Sequence, residues 1–274
     1  MVAWADVAKW TAKYWAYCTA SFLCLVIVAL MAGACGSVWY REKTSGQVYD
    51  MATSRRGNFF SYEIRYYMFH LEYDQQVQGP DASLVVPLKT VTCDYTDTNC
   101  PAIRDPFNSN EFQGMYAAIF SFALATIVTA VVLGILLLVM NWRAEAMGGL
   151  GSKILTVVAI VISVMLLAFV IITWALIWRH PKSTRQAVGL DDNYCDRWEI
   201  SERYKGGVYC VWEDEWNWSD SIIRNLTFRT DVQATGVKQL WGPTTGWILT
   251  TISFGFTSWV ILLVLGWRPA FFKN

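Results

Sequence analysis

No Asp, Glu, Lys, Arg or His interrupts the four longest apolar runs of the sequence, Trp15–Val38, Met115–Met140, Ile154–Trp178 and Thr244–Gly266. Transporters, pumps and proton relays generally place such residues at membrane depth, so their absence argues against ion or proton movement through these runs. Each run is long enough to cross a hydrocarbon core of about 30 Å as a helix. The sequence therefore predicts a four-span integral membrane protein in a lipid bilayer.

The chain also lacks the sequence signatures of catalysis. It has no HExxH, GxSxG, P-loop or dinucleotide-binding motif, and the acidic residues of its loops are scattered among basic ones. Only two histidines occur, His70 and His180, and neither has ligand spacing, so no metal and no cofactor is expected. We expect His180, before Pro181, to end a helix. A formal net charge of zero gives no indication of a nucleic-acid partner. A protein that is not an enzyme is expected.

The four runs separate two long loops, 39–114 and 179–243, from three short segments, 1–14, 141–153 and 267–274. The short segments carry six basic residues against two acidic ones. Because cytoplasmic segments carry an excess of Lys and Arg, we expect both termini in the cytoplasm and both loops on the exofacial side of the plasma membrane. Tryptophans near the span ends fit the membrane–water interfaces: Trp10, Trp15, Trp39, Trp142, Trp174, Trp178, Trp241, Trp247 and Trp267.

An alternative for the first run is a cleaved signal peptide. Ala32-Gly33-Ala34 has the small residues of a cleavage site. The apolar run is nevertheless as long as a membrane span, and two tryptophans precede it, whereas the apolar region of a signal peptide is shorter. We expect an uncleaved span.

The seven cysteines divide between the first span and the two loops. Cys18, Cys24 and Cys35 are expected to pack within the span. Each loop has one pair, as expected for disulfides in an oxidising compartment. Four cysteines allow three pairings, of which the local one closes the shortest rings and is favoured; a metal site is the alternative, although no His accompanies either pair. The favoured pairs are Cys93–Cys100 and Cys195–Cys210.

Two N-glycosylation sequons occur in the second loop, Asn217-Trp218-Ser219 and Asn225-Leu226-Thr227. Their position agrees with an exofacial loop. We expect a glycan on at least one of them, the alternative being an unused surface motif.

Alternating apolar residues predict that the first loop contains strands. The alternation from Phe60 changes phase near Tyr66–Tyr67, which predicts one strand to Tyr73 with a bulge. A second strand, Leu84–Cys93, is followed by turn residues up to Cys100. In the second loop Tyr204–Trp212 is typical of a strand. The predicted fold is a membrane α-helical bundle of four transmembrane helices, with a small disulfide-stapled antiparallel β-sheet formed by the exofacial loops.

Small residues four positions apart let membrane helices approach closely. They form two ridges, one on the second span and one on the first, whereas Val157 through Ile172 of the third span show none. Contact within this bundle is the favoured interpretation, and docking onto a helix of another subunit is the alternative. The ridges contain Ala117, Ser121, Ala125 and Thr129, and Ala29 and Gly33.

The arrangement resembles the claudin-like four-transmembrane superfamily, which includes claudins, channel and receptor auxiliary subunits, Sur7-type proteins and amastins. The similarity lies in four spans with cytoplasmic ends, a strand-rich first loop in which Cys93 and Cys100 close a hairpin, and a short cytoplasmic link. Claudins have Gly-Leu-Trp before the first Cys, whereas Thr90-Val91-Thr92 precedes Cys93 here, and the second loop is longer. Innexin-like channels share paired loop cysteines but have a long middle loop.

These observations lead to one functional hypothesis and two alternatives. We expect a non-enzymatic accessory subunit of a larger membrane complex, which binds other membrane-protein subunits through its exofacial part. Trp212, Trp216 and Trp218 beside Glu213–Glu215 are the candidate partner-binding residues, because large rings near charge make good interface anchors; packing inside the loop is the alternative for them. The other functional hypotheses are a pore- or junction-forming homo-oligomer and a subunit of an organellar bioenergetic complex.

Overall fold

A computed structural model describes residues 4–50, 55–78, 85–95, 110–142, 149–180, 183, 224–229 and 232–266. The helices are α1 (Trp4–Cys35), α2 (Asn110–Trp142), α3 (Gly149–Leu176), which continues into a 3-10 turn (Ile177–Arg179), and α4 (Thr245–Gly266). The strands are β1 (Tyr40–Asp50), β2 (Arg55–Tyr66), β3 (His70–Gln78), β4 (Val85–Asp94), β5 (Arg224–Arg229) and β6 (Val232–Pro243).

All four predicted spans are helical and apolar enough to cross a membrane. The qualifying segments are Trp15–Cys35, Gln113–Trp142, Lys153–Arg179 and Thr245–Leu265, each of which has a high mean hydropathy. Only the end of the first predicted span differs by more than two residues, because α1 stops at Cys35 and the chain enters β1 five residues later. The protein is therefore a four-span integral membrane protein.

The chain forms two compact units. The helical unit contains Met1–Cys35, Ile119–Ala175 and Ile248–Asn274, and the sheet unit contains Gly36–Ala118 and Leu176–Trp247. The sheet unit thus includes the first residues of α2 and α4 and the last residues of the third span. Contacts between the sheet and these span ends therefore lie within a single unit.

In the helical unit each helix buries a seam that repeats every three or four residues, the spacing of left-handed helix packing. Ser21 Oγ donates to the Gly134 carbonyl, 3.0 Å, between α1 and α2. Trp174 Nε1 donates to Thr251 Oγ1, 3.1 Å, between α3 and α4. The seams are Tyr17, Ala20, Cys24, Ile27, Met31 and Ala34; Ile119, Ala123, Thr126, Ala130, Leu133, Leu137 and Met140; Thr156, Ala159, Ser163, Leu166, Val170 and Thr173; and Thr250, Ser253, Thr257, Val260 and Val264.

The third span therefore does have small residues in its packing seam, contrary to the expectation of none. Thr156, Ala159 and Ser163 follow one another on its buried face. Ala159 and Ser163 are four positions apart, and Thr156 precedes Ala159 by three, as in a seam that alternates steps of three and four.

The sheet unit contains one six-stranded antiparallel sheet in the order β4-β3-β2-β1-β6-β5. The first four strands belong to the first loop and the last two to the second, and β1 pairs with β6 along its length. Because the two loops share one sheet, they lie on the same side of the membrane.

The predicted bulge near Tyr66–Tyr67 is wrong. The strand ends at Tyr66, the chain turns over Tyr67–Phe69, and His70 begins β3, with Tyr67 N donating to the His70 carbonyl at 2.9 Å. A tight turn between two strands reverses the alternation just as a bulge does, so the pattern alone did not separate them. The predicted strand Leu84–Cys93 corresponds closely to β4, whereas Tyr204–Trp212 lies outside the described residues.

Candidate functional site: a buried histidine cluster at the span ends

The link between α1 and β1 is fastened to the start of α4. The Val38 carbonyl accepts hydrogen bonds from Thr244 Oγ1, 2.7 Å, and from Gly246 N, 2.9 Å, while Thr244 N donates to the Trp39 carbonyl, 3.0 Å. The first N–H groups of a helix have no partner within it, and this link supplies one. The Trp39 ring is fully buried against Gly246. The segment before β1 and the start of α4 are thus joined within the sheet unit.

Beside this link, one face of the sheet carries a buried row across four strands. Tyr40 pairs with Tyr66, Tyr66 with Leu71, and Leu71 with Cys93, and all four side chains are almost completely buried. Alternate residues of a strand point to the same face, so Glu42 of β1 lies on this face too. The row forms the floor of the candidate site.

His180, which directly follows the third span, packs on this floor. Its side chain is 0% exposed. The Tyr40 ring stacks on the imidazole with centroids 3.8 Å apart, and Tyr66 meets it edge-on at 4.6 Å. Tyr116 of α2 is also edge-on, at 6.1 Å. The cluster of Tyr40, Glu42, Tyr66, Tyr95, Tyr116 and His180, called here the histidine cluster, therefore joins the second span, the third span and the sheet.

Both ring nitrogens of His180 have polar partners. Nε2 lies 3.3 Å from Glu42 Oε1, and Nδ1 lies 3.0 Å from the Tyr116 hydroxyl. A carboxylate only accepts hydrogen bonds, so the neutral ring carries its proton on Nε2 and accepts at Nδ1 from the Tyr116 O–H. With this assignment, each of the two hydrogen bonds has one donor and one acceptor.

Burial is the largest influence on His180 and lowers its pKa, because the charged ring is poorly solvated; the hydrogen bond and charge of Glu42 oppose this. The unfolded chain then binds a proton at higher pH than the folded one. The cluster's contribution to stability is thus complete above a pH of about 6.5 and is lost as the pH falls below it.

Tyr95, directly after β4, extends the cluster beyond Tyr116. Its ring stacks on the Tyr116 ring with centroids 5.0 Å apart. Tyr95 O–H donates to the Tyr67 carbonyl, and Gln113 Nε2 donates to the Tyr95 carbonyl, 2.9 Å. The Tyr40 hydroxyl, in contrast, is buried without a hydrogen-bond partner.

The opposite face of the sheet carries a network of ion pairs. Glu63 of β2 accepts from Arg41 at 2.8 Å and from Arg65 at 2.6 Å, and Arg65 also reaches Glu72 at 3.3 Å. Burial alone raises the pKa of Glu63, but the two arginines together outweigh it and lower that pKa. The two faces therefore differ sharply, one aromatic and buried, the other charged and partly exposed.

The structure places only some of the predicted site residues. Cys93 lies one residue before the end of β4, on the buried face, and Asn225 lies in β5, an edge strand. The ridge of the second span lies away from the buried seam, because Ala117 and Ser121 are exposed and Ala125 is half-buried. On the first span Ala29 is exposed, whereas Gly33 approaches Leu249 of α4. Outside the described residues lie Cys100, Cys195, Cys210, Asn217, Trp212, Trp216 and Trp218.

The histidine cluster was missed in the sequence, where His180 was expected only to end a helix. It does follow the third span, but it is buried rather than solvated. A usable signal was the presence of Glu42 and His180 just beyond the first and third spans, since polar residues there either face water or pair with one another. No group of metal-binding side chains occurs in the described parts of the chain.

Comparison with protein-family models and with curated proteins finds no match for this chain.

Proposed function

We propose that the protein is a non-enzymatic accessory subunit of a larger membrane complex, such as a channel, receptor or adhesion assembly, and that its sheet meets the partner. The observation that carries the proposal is the shared sheet. Both loops contribute strands to it, and the Trp39–Gly246 contact and the histidine cluster fasten it to the span ends. A sheet held in this way presents a fixed surface to another protein, which lowers the cost of binding.

The uncharged apolar runs of the helical unit support a scaffold rather than a transporter. Within its described residues the seam polar groups are hydroxyls, and several donate to a carbonyl of their own helix: Thr126 to Phe122, Ser163 to Ala159, Thr173 to Phe169, Ser253 to Leu249 and Thr257 to Ser253. Hydroxyls satisfied in this way offer little to a moving ion or proton.

The proposal includes an exofacial sheet with cytoplasmic termini in the plasma membrane, local disulfides and a glycan. Three observations support it. The short segments carry six basic residues against two acidic ones. Cys93 is 2% exposed and is not among the free thiols, Cys18, Cys24 and Cys35. Asn225 lies in β5, an edge strand. The resemblance to claudin-like proteins, some of which are auxiliary subunits, points the same way.

Purification from the native membrane in mild detergent, without overexpression, tests the proposal. Particle mass and co-purifying chains are measured before and after glycosidase treatment. Foreign chains in a fixed ratio are expected, because an accessory subunit is purified together with the complex to which it belongs. A symmetric assembly of this chain alone would instead favour the pore or junction hypothesis, and a particle whose mass glycosidase leaves unchanged would favour an organellar subunit.

The partner-binding residues can be tested in the same preparation. We expect Trp216→Ala to reduce the co-purifying chains, since Trp216 is a proposed interface anchor. Trp142→Ala is the matched control. Trp142 is 89% exposed, and it is the last residue of α2, whose first residues belong to the sheet unit. Equal recovery of partner chains with the two variants would remove Trp216 from the interface.

A further inference from the structure

The turn between β2 and β3 has an unusual composition. Gly, Pro, Asn, Asp and Ser dominate tight turns, because they supply the required backbone geometry or bond to their own backbone. This turn, Tyr67-Met68-Phe69, contains none of them. Met68 is 3% exposed, whereas Phe69 is 57% exposed. A large apolar ring is therefore presented at the tip of the turn.

Hydrogen bonds hold the residues beside Phe69 in place. Tyr67 N donates to the His70 carbonyl, 2.9 Å, and the Tyr67 hydroxyl donates to Glu72 Oε2, 3.0 Å. The Tyr95 hydroxyl donates to the Tyr67 carbonyl. The Tyr67 and His70 rings stack with centroids 4.5 Å apart. The exposure of Phe69 thus belongs to a turn that is fixed at several points.

The turn lies at the end of the sheet where the first span leads into β1. The chain leaves that span at Cys35 and begins β1 at Tyr40, which pairs with Tyr66, the last residue of β2. Because the two strands are antiparallel, the turn that follows Tyr66 is level with the link that precedes Tyr40. Trp39 of that link donates its N–H to the Tyr66 carbonyl, 2.7 Å. The turn therefore lies beside the link between the first span and the sheet.

The second and third spans mark the same level from within the sheet unit. Tyr116 is the fourth residue of the span Gln113–Trp142, and its ring is parallel to that of Tyr66 with centroids 6.5 Å apart. His180, the first residue after the third span, meets Tyr66 edge-on at 4.6 Å. Since the turn directly follows Tyr66, it lies at the level of these span ends, where the headgroup layer of a bilayer begins.

We propose that Phe69 inserts into the interface of the lipid bilayer, so that the sheet touches the membrane at a point outside the four spans. The boundary between headgroups and acyl chains takes up large aromatic rings. Arg41 and Arg65 pair with each other in the next row of β1 and β2, and the Arg41 side chain is 48% exposed. The sheet thus changes from apolar at the turn to charged in that row, as the bilayer interface does. The proposal does not depend on which partner the sheet binds.

The test is fluorine NMR of the full chain, labelled with para-fluorophenylalanine and held in phosphatidylcholine nanodiscs. Phe69→Leu removes one of the fourteen phenylalanine signals and thereby assigns it. A lipid with a nitroxide near its headgroup broadens the signals of nuclei in the interface, whereas a water-soluble gadolinium chelate broadens those of nuclei in water. We expect the nitroxide lipid to remove the Phe69 signal and the chelate to leave it sharp.

Phe59 is the matched control in the same hairpin. It is 43% exposed and lies seven residues before Tyr66, about 23 Å along β2. Phe59→Leu assigns its signal. We expect the opposite behaviour from this ring, with loss of the signal to the chelate and a sharp signal beside the nitroxide lipid, because Phe59 lies far from the span ends.

Loss of the Phe69 signal to the chelate in nanodiscs would overturn the proposal. Protection of this signal only in the complex purified from the native membrane would also overturn it, since the ring would then contact a protein and not lipid. Unmoved positions of the remaining signals show that Phe69→Leu is folded. If it does not fold, Phe69→Tyr keeps the ring, removes the fluorine and provides the same assignment.

Discussion

At the residue scale, Gly246 leaves the space that the Trp39 ring occupies. A Cβ at this position would lie 2.7 Å from Trp39 Nε1 and 2.8 Å from two ring carbons. Trp39 is fully buried and its backbone N–H bonds to the Tyr66 carbonyl at 2.7 Å, so the ring has little room to move. The absence of a side chain at Gly246 is therefore required for the link between the first span, the sheet and α4.

We expect Gly246→Ala to destabilise the protein by about 1–3 kcal/mol, because overpacking forces the ring or helix to shift. The measurement is the thermal midpoint in detergent, followed by tryptophan fluorescence. Gly255→Ala in the same helix is the control, since its Cβ would meet nothing within 4 Å. Equal midpoints for the two variants would show that the Trp39 contact is not tight.

Glu63 is the second informative residue, because two arginines lower its pKa. Its ionised form contributes stability above the ordinary glutamate pKa of about 4.3, and this contribution is lost as the pH falls through the lower folded value. We expect Glu63→Gln to cost about 1–2 kcal/mol at pH 7 and much less at pH 3. A constant difference between the two melting curves at all pH values would contradict this electrostatic account.

At the element scale, the helical unit contains two kinds of buried hydroxyl. Ser21 of α1 donates to the Gly134 carbonyl of α2, where a Cβ on Gly134 would lie only 3.4 Å from Cys24 Cβ. Thr126 of α2 donates to its own helix, at the Phe122 carbonyl. The first hydroxyl links two helices, whereas the second fills the seam and satisfies itself.

We expect Ser21→Ala to lower stability by about 0.6 kcal/mol, the typical value of a hydrogen bond between membrane helices. Thr126→Val should change it less, because the side chain keeps its shape and no partner on another helix loses a bond. Reversible unfolding in mixed micelles measures both. A larger loss for Thr126→Val would mean that seam shape outweighs the interhelical bond.

At the scale of the whole molecule, strand pairing fixes which segments share a side of the membrane. Since β1 and β6 come from different loops and pair in one sheet, both loops lie on one side of the membrane. We expect short tags at the N-terminus and after Asn274 to bind antibody only after permeabilisation, and a tag in loop 179–223 to bind without it. Staining of one terminal tag in intact cells would contradict the four-span topology.

The membrane class could be predicted from the sequence because it depends on local composition. The four uncharged runs of span length were sufficient to predict the four helices, and the alternation in Phe60–Tyr66 was sufficient to predict β2. The turn at Tyr67–Phe69 could not be predicted, because a turn and a bulge change the alternation in the same way. The strands β5 and β6 were missed as well; they pair with each other, and β6 also pairs with β1, which lies far away in the chain.

The sequence by itself determined that this chain enters the lipid bilayer four times, since the cost of burying charge in hydrocarbon depends on each segment separately. The tertiary structure alone decided that His180 is a buried group bonded to Glu42 and Tyr116, residues 138 and 64 positions away in the chain. Such contacts follow from how strands from both loops pair and which span ends they meet, and no local pattern encodes that choice.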